Sequence, residues 1–166
     1  MVDYQSLSIV LTGIGMIIAL SYYGLQIRNQ NKTRQAQLYM GIINTFNSLE
    51  FRTQWHISES TKWTDYDDYK QKYTPEKNQE VLTANVMMFT FFASIGALVK
   101  KNFLNLEFVD SQLALSIVVT WRMYEDVIMG DREYFQAPFM WEDFEYIYDE
   151  LNKREKYAST RSPYQI

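Results

Sequence analysis

Apolar residues follow two different patterns along this chain of 166 residues. Near the N-terminus they form a run that no charged side chain interrupts between Asp3 and Arg28. Farther along they recur every three or four positions, which is the spacing of one face of an α-helix. Because glycine and proline are also scarce, packed helices are favoured over a turn-rich β fold. The chain is predicted to be all-α, with an N-terminal transmembrane helix that continues into a small bundle of about four further helices.

The charge-free run has the length of a membrane span, and residues 1–28 are predicted to be a transmembrane anchor. Leu7–Leu25 supplies roughly the 20 residues that a helix needs to cross a hydrocarbon core about 30 Å thick. Ser8, Thr12 and Ser21 lie inside it, but their hydroxyls can bond carbonyl oxygens of the preceding helical turn. These polar residues are therefore compatible with a lipid environment.

Aromatic residues mark both ends of the predicted span. On a helix, Tyr4 lies roughly 27 Å from Tyr22 and Tyr23. That distance is the one expected between the two belts of aromatic side chains at the membrane surfaces. The three tyrosines are therefore predicted to lie at the membrane–water interfaces.

Small residues occur between the two aromatic ends. Gly13, Gly15 and Ala19 lie among bulky neighbours, and such positions let another transmembrane helix approach closely. They are candidates for packing against a partner helix. The alternative is that glycine is simply tolerated here, as it is in many membrane helices.

Basic residues follow the span and predict its orientation. Arg28, Lys32 and Arg34 come directly after it, whereas only Asp3 and the α-amino group precede it. Since Lys and Arg tend to remain on the cytoplasmic side, the N-terminus is expected outside the cell and the remaining domain in the cytoplasm. This topology describes a single-pass protein of the cell membrane. A cleaved signal peptide would instead carry its positive charges ahead of the apolar run.

Residues 29–59 are predicted to be a juxtamembrane amphipathic helical segment. Apolar residues recur there at helical spacing: Leu38, Ile42, Phe46 and Leu49. A break in the helix is expected near Asn47 and Ser48, because Asn47 and Glu50 have the spacing of a capping pair. Residues 60–74 are predicted to be a loop rich in aromatic and acidic side chains, with a short helical turn inside it as the alternative.

Residues 75–158 are predicted to form the helical bundle, followed by a tail at 159–166. The first bundle helix is expected to begin at Pro75, between a capping threonine and an acid, and to end at Asn102. Another helix is expected from Asn105 to Gly130, and a last helix from Pro138. The apolar stripe of the last helix is Met140, Phe144, Ile147 and Leu151.

The run Val81–Val99 also carries no charge and is a candidate for a second membrane crossing. A second crossing would take Lys100 and Lys101 to the outer side, against the usual distribution of positive charge. One face of the run has the spacing of a side that is buried in protein: Val81, Asn85, Met88, Phe92, Ile95 and Val99. A buried bundle helix is the favoured interpretation.

No catalytic or metal-binding pattern occurs in the sequence. Without cysteine there is no disulfide, no thiolate nucleophile and no cysteine-based zinc site. His56, the single histidine, gives with Glu59 only two metal ligands. Asp65, Asp67 and Asp68 are similar to the start of a calcium loop, but the glycine and the distal glutamate of such a loop are missing. We expect no enzymatic activity, no metal and no cofactor.

The charge and the aromatic residues bear on the kind of partner. A net charge of −4, with no basic surface beyond the cluster after the span, argues against nucleic acid. Aromatic side chains are favoured in the cores of protein interfaces. The candidate contacts for a protein partner are Trp55, Trp63, Tyr66 and Tyr69. The alternative is that this aromatic loop folds over the bundle.

Four segments, taken together, resemble a known pattern: Tyr22–Arg28, Ile42–Phe51, Ala97–Leu104 and Trp141–Tyr146. The chain resembles a broad prokaryotic family of small single-span membrane proteins of unknown function, with an N-terminal membrane helix and a C-terminal helical domain. The resemblance covers most of the chain, implies a single span and supplies no activity. Asn102 stands where the pattern has glycine, and asparagine also accepts the left-handed conformation.

The sequence predicts a non-catalytic membrane-anchored interaction protein, most concretely an accessory or assembly subunit of a larger membrane complex. The expected partners are the lipid bilayer and other membrane-protein subunits, which can also hold the C-terminal tail, and homo-oligomerisation is left open. The alternative is a membrane-tethered sensor or regulator. It would bind a small ligand or anionic lipid headgroups through the aromatic loop and Arg28, Lys32 and Arg34.

Overall fold

The computed structural model describes residues 3–154, apart from the side chains of residues 5–7. Within this range the chain forms α-helices and no β-strand, which confirms the all-α prediction. The helices are α1 (Tyr4–Asn47), α2 (Leu49–Glu59), α3 (Tyr66–Lys72), α4 (Pro75–Lys100), α5 (Leu106–Gln112), α6 (Ala114–Tyr134) and α7 (Glu142–Asn152). The predicted tail at 159–166 lies outside the described residues.

The number of helices differs from the prediction. Six helices follow α1 in the described range, not about four, because two short helices of seven residues, α3 and α5, were not foreseen as separate elements. Helix α3 lies inside the predicted loop 60–74 and is capped by Asp65, whose side chain accepts a 2.9 Å hydrogen bond from the Asp68 amide. Helix α5 ends at Gln112, because the backbone leaves helical geometry at Leu113 before α6 begins.

The described residues fall into two units that divide between Ile43 and Asn44. The first unit is the greater part of α1, a single helix of 44 residues. Two of the three predicted hydroxyl bonds are present, because Thr12 Oγ1 donates to the Ser8 carbonyl and Ser21 Oγ to the Ile17 carbonyl, each at 2.8 Å. These bonds leave the helix with no unpaired hydroxyl donor at those two positions.

The predicted break near Asn47 and Ser48 is confirmed, since α1 ends at Asn47 and α2 begins at Leu49. The capping residue differs from the predicted one. Ser48, in extended conformation, accepts a 3.1 Å hydrogen bond from the Phe51 amide through its Oγ. A serine side chain in this position satisfies one of the amides that a helix start leaves unpaired.

The second unit is a helical bundle in which α4 packs against α2 and α7, and α6 packs against α7. Helix α4 contains the charge-free run Val81–Val99, and the predicted buried face is observed for five of its six residues: Asn85, Met88, Phe92, Ile95 and Val99. Gly96 lets α4 approach α7 closely, because a β-carbon at this position would overlap the carbonyl of Asp143. The close contact therefore depends on the missing side chain.

Helix α4 ends as predicted. Asn102 takes the left-handed conformation with φ 59°, and the Phe103 amide donates a 2.9 Å hydrogen bond to the Leu98 carbonyl. This arrangement satisfies carbonyl groups that the helix end would otherwise leave unpaired.

Two later boundaries were predicted wrongly. Gly130 does not end its helix, since α6 continues to Tyr134. The last helix begins at Glu142 rather than Pro138, because Trp141 turns the chain with φ 60°. Met140 therefore lies before α7, while the other members of the predicted stripe are fully buried: Phe144, Ile147 and Leu151.

Candidate functional site

The apolar part of α1 is exposed along its length. Two helices in the described part of the chain are long and apolar enough to cross a membrane, namely Ser8–Asn47 and Pro75–Lys100. They differ in their surroundings, because none of the most apolar stretch of Ser8–Asn47 is buried, whereas 39% of that of Pro75–Lys100 is. Helix α4 is thus partly covered by its own bundle, while the most apolar stretch of α1 is exposed.

The residues predicted to contact membrane or a partner helix all lie on the exposed surface of α1. Tyr4, Tyr22 and Tyr23 are 88%, 68% and 62% exposed. A β-carbon at Gly13 or Gly15 would meet no atom within 4 Å, and Ala19 is exposed as well. The helix therefore presents these positions to its surroundings.

The three predicted headgroup residues are the charged side chains of α1, and all three are basic. Arg28, Lys32 and Arg34 are exposed, and none of them pairs with an acid among the described residues. The helix from Tyr4 to Asn47 contains no Asp or Glu at all. This segment is cationic, whereas the chain as a whole is acidic.

The four aromatic residues predicted as partner contacts also contact other parts of the second unit. Trp55 is buried on Phe46, Phe51 and Phe92, and its indole nitrogen donates to Glu59. Partner binding through Trp55 remains a prediction, but most of its surface is already covered.

The other three predicted contacts lie on α3 and the loop before it, against α6. Tyr69 is buried, with its ring 5.3 Å from that of Trp63. Trp63 Nε1 donates a 2.9 Å hydrogen bond to Asp126, and the Tyr66 hydroxyl donates a 2.9 Å bond to Asp131. Trp63 and Tyr66 remain half-buried, so their edges are the part that a partner can reach.

A buried polar cluster was not foreseen from the sequence. Ser58 Oγ donates to Asn85 Oδ1 at 2.6 Å, and the Tyr124 hydroxyl lies 2.7 Å from Ser58 Oγ and 3.0 Å from Thr61 Oγ1. Asn85 Nδ2 donates to the Tyr69 hydroxyl at 2.8 Å. The cluster therefore joins α2, α3, α4 and α6 through hydrogen bonds inside the bundle.

Burial sets the chemistry of this cluster. Removal from water raises the pKa of Tyr124 from 10.0 to about 12, so the phenol stays neutral even at a pH at which an exposed tyrosine begins to ionise. Its neighbours are hydroxyl and amide groups, which neither carry charge nor act as strong bases. The arrangement is that of a polar network that fixes the register of helices. The signal in the sequence was Asn85 on the predicted buried face of α4, because a buried polar side chain needs hydrogen-bond partners. The sequence does not identify those partners.

The other titratable residues considered from the sequence do not come together. His56 is exposed and lies 3.8 Å from Glu59. Asp68 forms a 2.7 Å ion pair with Lys72, which lowers the pKa of the carboxyl. In residues 3–154 no group of three or more His, Asp or Glu side chains is placed to hold a metal ion.

A second unforeseen feature is an exposed aromatic connector, defined as residues 134–141, which are the last residue of α6 and the segment that leads to α7. Tyr134, Phe135 and Phe139 are 62%, 59% and 70% exposed. Large aromatic side chains grouped on a surface usually mark an interaction site. The signal in the sequence was the absence of charge through all of Tyr134–Trp141.

Hydrogen bonds tie the aromatic connector to α6. The amides of Phe135 and Ala137 donate to carbonyls of the last turn of α6, at 2.9 and 3.0 Å. Arg132 Nε donates to the Met140 carbonyl at 2.8 Å, and its guanidinium pairs with Glu145 at 2.8 Å. Such a fixed segment loses little conformational entropy when a partner binds.

These features define an all-α protein in which a long, exposed apolar helix precedes a helical bundle. The chain belongs to the family described as a domain of unknown function, DUF4760, whose model matches residues 9–151. The matched range includes most of α1 as well as the bundle. No curated protein and no solved structure matches the chain.

Proposed function

We propose that the protein is a non-catalytic, membrane-anchored interaction protein that serves as an accessory or assembly subunit of a larger membrane complex. The observation that carries the proposal is the full exposure of the apolar part of α1. Eight large apolar residues between positions 9 and 20 are exposed by 49–72%. Their transfer from water to lipid would contribute on the order of 10 kcal/mol, since fully burying one such side chain is worth about 1.5–3 kcal/mol.

The proposed topology is a single span with the N-terminus outside and the bundle in the cytoplasm. Arg28, Lys32 and Arg34 lie directly after the apolar run in a helix that has no acidic residue, which favours retention of this end on the cytoplasmic side. Helix α4 stays with the bundle, because it contributes Asn85 to the buried polar cluster. Moving α4 into lipid would break those hydrogen bonds.

Family membership supports treating the apolar helix as part of the working protein. The family model covers α1 from residue 9 onward together with the bundle. Helix α1 also runs without interruption through Asn47, so the apolar and polar parts form one element. A lasting anchor is therefore favoured over a segment that is removed.

The anchoring half of the proposal is tested by extracting membranes with alkaline carbonate. The wild-type chain is expected to stay in the pellet. Ile14→Glu with Ile17→Glu is expected to release it, because each carboxylate at mid-bilayer costs about 2.5–3.5 kcal/mol. The matched control is Met40→Glu with Leu49→Glu, two exposed apolar residues beyond the predicted span. Release of the wild-type chain by carbonate would contradict anchoring.

The interaction half is tested by native gel electrophoresis of membranes solubilised in mild detergent. The chain is expected to migrate with the same set of partners in repeated preparations. The aromatic connector supports this expectation, because it offers exposed and rigidly held Phe135 and Phe139 to a partner. A detergent particle that contains only one copy of this chain would contradict the subunit role.

A second candidate function is recognition of anionic lipid headgroups by Arg28, Lys32 and Arg34. The unpaired state of these cations among the described residues favours it. Replacing all three by Glu is expected to abolish any preference for anionic over zwitterionic vesicles, since each cation near such a surface contributes about 1 kcal/mol. An unchanged preference would exclude the headgroup role and leave the anchor intact.

A further inference from the structure

The outer face of α4 carries no charge over most of its length. This face, called the neutral face below, consists of the exposed residues Thr83, Val86, Thr90 and Ser94 and the half-buried Met87, Ala93 and Ala97. A surface helix normally turns charged side chains toward water on the side opposite its core. The neutral face extends for about 21 Å along the helix, at 1.5 Å per residue.

Other helices of the same bundle follow the normal rule. Exposed charged residues lie on α2 (Glu50, Arg52), α6 (Glu125, Asp126) and α7 (Glu142, Asp149). The neutral face is therefore unusual for its surroundings. Because it lacks charged groups, the neutral face is hydrated less favourably than the other outer surfaces of this unit.

Two of the three hydroxyl groups of the neutral face, those of Thr83 and Ser94, are already bonded within α4. Thr83 Oγ1 donates to the Gln79 carbonyl at 2.8 Å, and Ser94 Oγ donates to the Thr90 carbonyl at 2.7 Å. Their donor protons are therefore not left unpaired if water is removed from this surface. Small side chains such as Ala93 and Ala97 also allow another helix to come close.

Opposite charges stand at the two ends of the neutral face. Glu80 precedes it and Lys101 follows it, and both are exposed and form no ion pair with any residue in the range 3–154. Neighbouring Lys100 is already paired with Asp143 at 3.2 Å. Glu80 and Lys101 lie at nearly equal distances on either side of Thr90, about 15 Å each along the helix.

From this arrangement we propose that two copies of the chain associate through their neutral faces, with the two α4 helices antiparallel. A two-fold axis near Thr90 places Glu80 opposite Lys101 of the partner subunit at both ends of the contact. Val86 then lies near Ser94 of the partner subunit. A parallel arrangement would instead set like charges beside each other.

A second copy fits the neutral face better than lipid does. Lipid would cover the uncharged centre but would leave Glu80 and Lys101 without opposite charges placed to match them. An antiparallel copy supplies both charges at the required spacing. The contact is small, so the dimer is expected to be weak and dependent on concentration.

The inference is independent of the proposed membrane anchoring, because every residue that carries it lies in the second unit. It would hold for a chain that does not enter a membrane. In the same way, failure of the dimer would leave the anchor unaffected.

Cysteine cross-linking tests the contact directly, because the natural chain contains no cysteine. In the full-length protein in mild detergent, Thr90→Cys is expected to form a disulfide-linked dimer at least tenfold faster than Thr53→Cys. Thr53 is a matched control, since it is an exposed threonine on the neighbouring helix α2. Equal rates for the two variants would overturn the proposal.

Charge reversal tests the antiparallel arrangement by sedimentation of the same protein. Glu80→Lys and Lys101→Glu are each expected to raise the dimer dissociation constant about three- to tenfold, and the double variant is expected to restore it. Circular dichroism checks that all three variants stay folded. Unchanged dissociation in the single variants, or no recovery in the double variant, would overturn the antiparallel pairing.

Lipid as the occupant is a separate outcome of the same experiments. A fluorophore attached to Thr90→Cys would then be quenched by nitroxide-labelled lipid in vesicles. The unlabelled variant would form no disulfide-linked dimer. That result would overturn the dimer and assign the neutral face to the bilayer.

Discussion

Tyr66 of α3 packs directly against Gly130 of α6, so closely that a β-carbon at position 130 would overlap the tyrosine ring. The hydroxyl of the same tyrosine donates to Asp131 at 2.9 Å. The glycine interpreted from the sequence as a helix end is in fact a helical residue that makes room for an aromatic side chain. Docking of α3 on α6 therefore depends on this pair.

Gly130→Ala is expected to lower the stability of the bundle. Alanine improves helix propensity by about 1 kcal/mol, but overpacking against a ring typically costs about 1–3 kcal/mol. The overlap also involves several atoms of the Tyr66 ring. The free energy of unfolding, measured by urea denaturation, should therefore fall.

The same substitution in a Tyr66→Ala background provides the control. Without the ring, the alanine at position 130 has space and should become neutral or stabilising. If Gly130→Ala cost the same in both backgrounds, the close contact with Tyr66 would not be the cause.

The buried polar cluster should be sensitive to the loss of Asn85. Asn85→Leu removes the acceptor for Ser58 and the donor to Tyr69, and each unsatisfied buried group costs about 1–3 kcal/mol. We expect a loss of about 2–4 kcal/mol in the free energy of unfolding. Tyr124→Phe should cost about 1–2 kcal/mol for the same reason.

Tyr134→Phe is the matched control for Tyr124→Phe, because Tyr134 is 62% exposed. Its stability should stay within about 0.5 kcal/mol of the wild type, as expected of surface substitutions. Equal effects of the two substitutions would show that the hydroxyl of Tyr124 has no special role in the cluster.

Asp131 should make the bundle less stable as pH rises. Partial burial raises the pKa of this carboxyl above its ordinary value of 3.8, despite the hydrogen bond from Tyr66. Between the ordinary and the raised value the folded state binds more protons than the unfolded state, so this contribution to stability is lost as pH increases through that window. Above the window the ionised carboxylate destabilises the fold.

Asp131→Asn removes this titration while its amide oxygen can still accept from Tyr66. The stability of the variant relative to wild type should therefore be higher at pH 7 than at pH 4, in urea unfolding measured at both values. Asp68 and Glu76 have lowered carboxyl pKa values, so their contributions to stability increase as pH rises. These contributions are the same in the wild type and the variant and cancel in the difference. A pH-independent difference would contradict the prediction.

The aromatic connector should be required for binding and not for folding. Phe139→Asp, at a side chain that is 70% exposed, is expected to change stability by no more than about 0.5 kcal/mol. It should remove the chain from the partner complex on native gels, since exposed aromatic residues dominate many interfaces. Leu115→Asp, at a 58% exposed residue of α6, should leave the complex intact. If both variants stayed in the complex, or both were lost from it, the aromatic connector would not be the specific site of partner binding.

Some features were determined by the sequence alone. The all-α class, the helix break after Asn47, the left-handed end at Asn102 and the apolar character of α1 all follow from nearby residues or from periodicity. Capping, backbone freedom and helical spacing act over a few positions, so a single sequence carries enough information. The buried face of α4 was predictable for the same reason.

Other features were decided only by the tertiary structure. Gly130 lies inside α6 and makes room there for Tyr66, a residue far away in the sequence. The hydrogen-bond partners of Asn85 also depend on the tertiary structure, because its side chain meets hydroxyls from three other helices, those of Ser58, Tyr69 and Tyr124. Contacts between residues distant in sequence override local preference, since burial and hydrogen bonding at such a contact can outweigh a helix-ending signal of about 1 kcal/mol.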